Sequence, residues 1–456
     1  MHETELVLLG ILAAVAALLV LAYRLRVPYP ILLVVGGAGL GFVPGIPEVA
    51  LEPDLVLLIA LPPLLYAAAF FSSLADLRAN ARPISVLAVG LVLATMSVIA
   101  VVAHAVLGLE WAAAFVLGAV LSPTDPVAAT AIASRMGAPR RVVTIIEGES
   151  LVNDATALIA YKFAIAAVLT GSFSAGEAVV EFAVDAAAGV AIGVAVGFVV
   201  AAIRRRIEDP PTEITISLVT PYFSYLPAEA AGASAVLAAV TTGIYMGWRS
   251  PELISPSTRI QAFAFWEILV FVLNSLLFVL VGLQLPSVVD GIVGESAATI
   301  AGYAVLVCAV VIVTRILFVF PLTYLRLALV RWLRARDPLP PWRDVTLVAW
   351  TGMRGAVSLA AALAIPLETD TGAPFPDRAL IVFLAFCVIL ATLVLQGLTL
   401  PWLIRRLGVE PDTDHVDEEG RARLQTAEAA LAQIDLLAEE EWTRDDSVQR
   451  LRQIYG

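Results

Sequence analysis

The sequence predicts an all-α polytopic membrane protein of about thirteen transmembrane helices, on three observations. The chain is 60% hydrophobic with a mean hydropathy of +0.90, well above the apolar share of an ordinary soluble domain. Apolar runs of about twenty residues, each long enough to cross a bilayer core, recur from Leu6 to Ile404. Arginines gather in every second connection between those runs. So much apolar surface has no cover in water, and lipid is the expected solvent.

The first run, Leu6–Ala22, is followed by Arg24 and Arg26 rather than by a small-residue cleavage site, so it reads as a permanent span. The breaks that follow give spans near 5–23, 29–43, 54–72, 83–107, 112–133, 142–168, 178–203, 212–226, 230–248, 261–283, 297–325, 344–366 and 379–404. The eighth is short and carries Pro221. Basic connections hold Arg24/Arg26, Arg78/Arg82, Arg135/Arg140/Arg141, Arg204 to Arg206, Arg249/Arg259, Arg326 to Arg343 and Arg405/Arg406. The intervening ones hold acids such as Glu48, Glu52, Glu177, Glu229, Asp290, Glu295 and Glu368, with Arg378 the exception. By the positive-inside rule the arginine side is cytoplasmic. The N-terminus is then outside and the C-terminus inside a cell inner (plasma) membrane, which requires an odd number of spans. Thirteen meets it.

The formal charge of −12 is unevenly placed: from Glu410 onward there are 13 acids and 5 bases, so the tail carries −8 of it. The two cysteines, Cys308 and Cys387, lie inside apolar runs and imply neither a disulfide framework nor a metal site.

An ionisable side chain at mid-bilayer costs roughly 2.5–3.5 kcal/mol on insertion scales and marks a functional candidate. Three clusters qualify. The first is Ser122-Pro123-Thr124-Asp125-Pro126 in the fifth span. Two prolines remove backbone donors and free the carbonyls of Ala119 and Ser122, four residues back. Unwound backbone at that depth is tolerated only inside protein or along a cavity. Carbonyls, a hydroxyl and a carboxylate together suit a small hard cation; the structural alternative is a kink with Asp125 as a helix cap.

The second cluster is Glu147-Gly-Glu-Ser-Leu-Val-Asn-Asp154 in the sixth span. Ser150 and Asp154 share one helix face, and Glu149 and Asn153 another. Glu147 lies nearer the basic loop, where Arg140 or Arg141 offers a partner. For Asp154 the structural alternative is a polar contact between helices, which a Ser or Asn would supply without a charge. The third cluster is cationic: Arg315 in the eleventh span, and Arg354 between Gly352 and Gly355 in the twelfth. Each needs a carboxylate or carbonyl partner, and Glu149 and Asp125 are the available acids. Both arginines also read as structural counter-charges. Lys162, the only lysine, sits two turns beyond Asp154 with a stem long enough to reach the interface. His104 reads as a polar end-residue of the fourth span.

The segments Leu121-Ser-Pro-Thr-Asp-Pro-Val-Ala128, Glu147-Gly-Glu-Ser-Leu-Val-Asn-Asp-Ala-Thr156 and Gly352-Met-Arg-Gly-Ala-Val-Ser-Leu359 resemble the signature segments of the cation:proton antiporter-1 family. That family includes NhaP-type bacterial and archaeal antiporters and the animal sodium/proton exchangers. The resemblance covers residues 5–406 and implies two inverted six-helix repeats joined by the seventh span, with crossed discontinuous fifth and twelfth helices. It implies that Asp154 is the shared cation and proton site and that Glu149 pairs with Arg315. It places Thr124 and Asp125 in the fifth-helix break and Arg354 at the helix crossing. It also implies a homodimer. Where several relatives carry an acid after a Leu-Pro-Pro stretch in the third span, this sequence has Ala67.

The expected activity is therefore sodium (or lithium)/proton antiport, with proton and cation competing for Asp154 and with Thr124, Ser150 and Asp125 helping to hold sodium. Asn153 stands where a second acid would, so one proton per cation, hence electroneutral exchange, is expected. Potassium/proton exchange is the nearest rival. A gated cation channel would need repeated ligand rings along a pore, and an intramembrane enzyme would need a nucleophile–base pair. No cofactor and no nucleic-acid partner are expected. Residues 407–456 read as an acidic cytoplasmic tail, with Leu424, Ala427, Leu431, Ile434 and Leu437 at helical spacing. That pattern predicts a solvated amphipathic helix docked on the membrane domain or on a dimer mate.

Overall fold

The computed structural model describes residues 2–25, 27–43, 56–207, 209–291, 296–329, 340–370, 372–409, 413–440 and 443–455. The membrane part begins with α1 (His2–Leu25), α2 (Tyr29–Gly41), α3 (56–71) and α4 (Ala81–Leu107). The fifth helix is broken into α5a (Trp111–Leu121) and α5b (Pro126–Arg135). Then come α6 (Arg140–Thr170), α7 (Ala175–Arg204), α8 (Pro210–Ala230), α9 (Ala235–Leu253), α10 (Pro256–Leu283) and α11 (Ala297–Leu329). The twelfth is also broken, into α12a (Trp342–Trp350) and α12b (Ala356–Leu363), and α13 (Arg378–Leu407) closes the set. Among the described residues seven helices are long and apolar enough to cross a membrane, and α1, α2 and α3 contribute shorter apolar helices. The chain is a multi-pass membrane protein.

Each expected span meets a helix or a broken helix. The eighth is longer than 212–226, because Asp209 caps it through the Thr212 amide at 3.1 Å and Pro221 and Pro227 are accommodated inside it. Arg26, Glu48, Glu52, Glu295, residues 54–55 of the third span and the 330–339 part of the basic connection before the twelfth lie outside the described residues. The exceptional Arg378 has a local role: its guanidinium donates to the carbonyls of Ile365 (2.8 Å) and Leu363 (2.9 Å), ending α12b.

The helices fall into two packing groups. One holds α4, α5, α6, α11, α12 and α13; the other holds α1, α2, α3, α7, α8, α9 and α10. Exchanging α1–α6 for α8–α13 maps the contact of α2 with α10 onto that of α9 with α3, and α4 with α5 onto α11 with α12. With a single span between the six-helix halves, they are inverted repeats. The same device serves both matched contacts. A Cβ at Gly37 of α2 would stand 2.5 Å from the Val279 carbonyl of α10, and one at Gly243 of α9 would stand 2.6 Å from the Tyr66 carbonyl of α3. In lipid, where apolar surface gives no advantage to helix over hydrocarbon, such close backbone approach is what holds helices together.

The seven-helix group carries a buried ion pair: Arg204 Nη2 at the end of α7 lies 3.2 Å from Glu213 Oε2 on α8, both nearly inaccessible. Thr258 of α10 donates to the other Glu213 oxygen at 3.3 Å. Three helices are thereby pinned at their arginine-rich ends, by a pair that the spacing of hydrophobic runs does not reveal.

The tail holds the expected helix and a second one beyond it. It forms α14 (Thr413–Ala438) and α15 (Asp445–Tyr455), which pack on each other. Ile434 and Val448 are buried, Arg452 pairs with Asp435 at 2.6 Å, and Leu424 is 61% exposed. The apolar stripe is covered in part by the chain's own last helix.

Removing one partner of a buried ion pair strands the other charge and costs about 3–5 kcal/mol. Glu213→Gln should therefore lower the thermal unfolding temperature in detergent markedly, whereas Glu252→Gln, at an exposed pair with Arg249, should leave it within a degree or two. Equal melting of the two variants would contradict this account of the α7–α8–α10 junction.

Candidate functional site

The two breaks lie side by side. Pro123 and Pro126 stop α5, and residues 351–355 stop α12. The Asp125 amide donates to the Met353 carbonyl at 2.8 Å, joining the breaks by a backbone hydrogen bond. Asp125 Oδ1 accepts from the Val127 amide at 2.8 Å, so the carboxylate caps α5b, as the structural alternative supposed. It also lies against Gly355 at the head of α12b, where any Cβ would overlap it. One carboxylate thus faces the start of two half-helices, where helix dipoles favour negative charge.

Arg354 answers at the opposite ends. Its Nε donates to the Leu121 carbonyl of α5a at 3.0 Å, and its Nη1 to the Gly352 carbonyl beyond α12a. Its partners are carbonyls, not an acid. Arg315 of α11 forms a bidentate pair with Glu149 of α6, at 2.5 and 2.8 Å, and donates to the Val348 carbonyl of α12a at 3.1 and 3.0 Å. Bidentate geometry with both side chains buried is the form in which such a pair is strongest. The Ala119 carbonyl, expected to be free, accepts from the Ser122 hydroxyl at 2.9 Å.

Thr124 is the hub between α5 and α6. Its hydroxyl donates to Glu149 Oε1 at 3.1 Å and accepts from Asn153 Nδ2 at 2.7 Å. Its carbonyl accepts from the Ser150 hydroxyl at 3.1 Å and from Asn153 Nδ2 at 3.3 Å. Asn153 Oδ1 is buried and meets no donor. Asp154 is 7% exposed, and among the described residues no hydrogen bond or ion pair ends on its carboxylate. A buried carboxylate without a partner is costly. It faces a cavity.

That cavity, about 710 Å³, lies between the two packing groups. Asp154, Ser150, Thr124 and Asp125 form its polar end, and Phe71, Trp266 and Phe271 form an aromatic wall on α3 and α10. Its mouth, at Ala131, Ser134 and Glu267, is on the arginine-rich side, where these residues are exposed. On the acid-rich side the groups meet, with the short helix Leu285–Asp290 packed on α13 and Val288 buried. Ala67 lines the cavity wall.

Glu147 also lines the cavity, within electrostatic reach of Arg140, while the direct contacts of Arg140 and Arg141 go to Asp76 (2.7 Å) and Asn80 (3.2 Å). Lys162 reaches acids on α7 instead of the lipid interface. His104 donates from Nδ1 to the Leu109 carbonyl (2.8 Å) and stacks on Trp111, as an end-residue. Sequence reasoning missed Glu267, Asn274 and Thr392. Glu267 interrupts the apolar run 261–283 and was visible as a charge. Thr392, which accepts from the Arg354 amide at 3.1 Å, carried no signal. Among the described residues no group of three or more His, Cys, Asp or Glu side chains is placed to hold a metal ion.

Paired broken helices with their compensating charges, at the base of a one-sided cavity between the two packing groups of an inverted-repeat fold, define a secondary transporter. The chain belongs to the sodium/hydrogen exchanger family: the family model for the transmembrane sodium/hydrogen exchanger matches residues 10–406. It is 40% identical over 455 residues to an uncharacterised Na+/H+ exchanger of Mycobacterium tuberculosis, covering 98% of this chain and 83% of that one. It is 31% identical over 413 residues to the Na+/H+ antiporter ApNhaP of Aphanothece halophytica, covering 90% and 75%. With the sodium, potassium, lithium and rubidium/H+ antiporter of Bacillus subtilis it shares 35% identity over 367 residues, covering 77% and 54%. The fold matches the sodium proton antiporter MjNhaP1 of Methanocaldococcus jannaschii with a TM-score of 0.69 at 18% identity, covering 90% of this chain and 100% of that one.

Gly355→Ala places a methyl on the Asp125 carboxylate. Overpacking of this kind costs about 1–3 kcal/mol, so the variant should unfold at lower temperature than the parent, and Gly302→Ala, with open space around it, should not. Retention of parental stability by Gly355→Ala would show that the crossing is looser than described.

Proposed function

We propose that the protein exchanges sodium or lithium for protons across the cell inner membrane, electroneutrally, with both ions competing for Asp154. The observation that carries this reading is the Asp154 carboxylate: buried, without a partner among the described residues, and lining the cavity. A carboxylate so placed is relieved by a proton or by a cation, one at a time. Asp125, Thr124 and Ser150 stand beside it at the polar end of the cavity and supply further hard oxygens for sodium. Asn153, neutral where a second acid would double the charge, supports one proton per cation. Glu149, Arg315 and Arg354 form the structural charge set that keeps the breaks in place.

The arginine-rich side is read as cytoplasmic, so the cavity represents the inward-facing state. Alternation then moves the six-helix core group, residues of α4–α6 and α11–α13, against the other group, which serves as the scaffold of a homodimer within the 1–406 transmembrane unit. Residues 407–456 form the cytoplasmic tail. The Bacillus relative, whose described substrates include potassium, makes potassium the second cation to test.

In proteoliposomes holding an imposed pH gradient, sodium or lithium should collapse the gradient while choline does not, and the rate should be insensitive to membrane voltage. Asp154→Asn should abolish the response. A potassium response would keep the mechanism and change the substrate. Cation-dependent proton flux surviving in Asp154→Asn would remove Asp154 from the mechanism.

A further inference from the structure

We propose that Lys162 is a positioning residue for the transport cycle, holding the two helix groups together on the acid-rich face while the cavity is open on the arginine-rich face. The inference rests on the alternating-access reading above. Lys162 Nζ, on α6, lies 3.3 Å from Asp185 Oδ2 and 3.6 Å from Glu181 Oε1, both on α7. These helices belong to different packing groups and otherwise touch little. Asp185 is well anchored in the second group. Its side chain is 13% exposed, and its carbonyl accepts from the amide of Ser234, the cap of α9, at 3.0 Å. The tie therefore runs from the core group to α7 and α9 together.

Its place in the fold sets its role. α6 runs from the arginine-rich face at Arg140 to the acid-rich face at Thr170, so Lys162 lies in the half beyond Asp154, away from the cavity mouth. Opening a path to Asp154 from that side requires the groups to part there. α7 has ionic ties near each end. At the arginine-rich end, Arg204 and Glu213 are both almost fully buried and lie within one group. Parting them would strand two charges in a dry interior. At the other end, Lys162 and Glu181 are 54% and 50% exposed, so both can return to a polar interface when the groups separate. The weaker tie is the one between the groups, and it is the one that can break and re-form in every cycle. A single flexible stem with three donors suits a clasp on two acids.

The test uses the full-length protein with Cys308 and Cys387 replaced by alanine and spin labels on cysteines introduced at Thr170 and Ala231. Those sites are exposed on the acid-rich face, one in each group. Distance distributions should resolve a near and a far population. Lys162→Met should shift their ratio about two- to fivefold toward the far state, the scale of an exposed ion pair. Half-saturating sodium on the arginine-rich side should rise in the same direction, with the maximal rate retained. Lys162→Arg should keep the parental ratio, and the swap of Lys162→Glu with Asp185→Lys should restore it. An unchanged ratio in Lys162→Met, or a shift that the swap does not restore, overturns the inference while exchange still depends on Asp154. Loss of that dependence in the labelled parent would instead overturn the functional reading itself.

Discussion

Two helices stop in mid-membrane, and their broken ends have to be satisfied inside the protein. Each break exposes the end carbonyls of one half-helix and the first amides of the next, and lipid offers them no hydrogen bonds. The protein meets this with few groups. Asp125 stands at the two half-helix starts, Arg354 at the two half-helix ends, and Arg315 takes the remaining Val348 carbonyl while binding Glu149. The neighbouring helices α6, α11 and α13 each send one or more polar side chains into the crossing, which is why the six-helix group packs as a unit around it.

Against that satisfied network, Asp154 is the remainder. The charged groups that hold the crossing have partners: Glu149 has Arg315, Asp125 has an amide, Arg354 has carbonyls. Asp154 has only the cavity. The arrangement separates two duties that residues of one type could otherwise confuse. Some intramembrane charges keep the broken helices folded, and one, on the proposed reading, is left to exchange its counter-ion. The cavity lies between the groups because the network belongs to one of them, and the aromatic wall of α3 and α10 belongs to the other.

Much of this was legible in the sequence. The prolines around Asp125, the glycines around Arg354 and the Ser150–Asp154 spacing marked the breaks and the face that lines the cavity, because proline, glycine and helical period act locally. The pairing of Arg204 with Glu213 was not legible: both lie near ends of apolar runs, where a charge looks like an ordinary solvated one. Nor was the choice of carbonyls over a carboxylate by Arg354, which depends on how two distant segments cross. The tail's apolar stripe predicted a helix, but its partner, α15, became visible only from the packing of Val448 and Ile434.

On the proposed reading one carboxylate, Asp154, holds either a proton or a cation. This is tested most directly by adding sodium to the purified protein in lightly buffered detergent solution and measuring released protons. A saturable release approaching one proton per chain is expected, absent in Asp154→Asn and present in Asp125→Asn at reduced apparent affinity. Sodium binding without proton release, or release undiminished in Asp154→Asn, would contradict that reading.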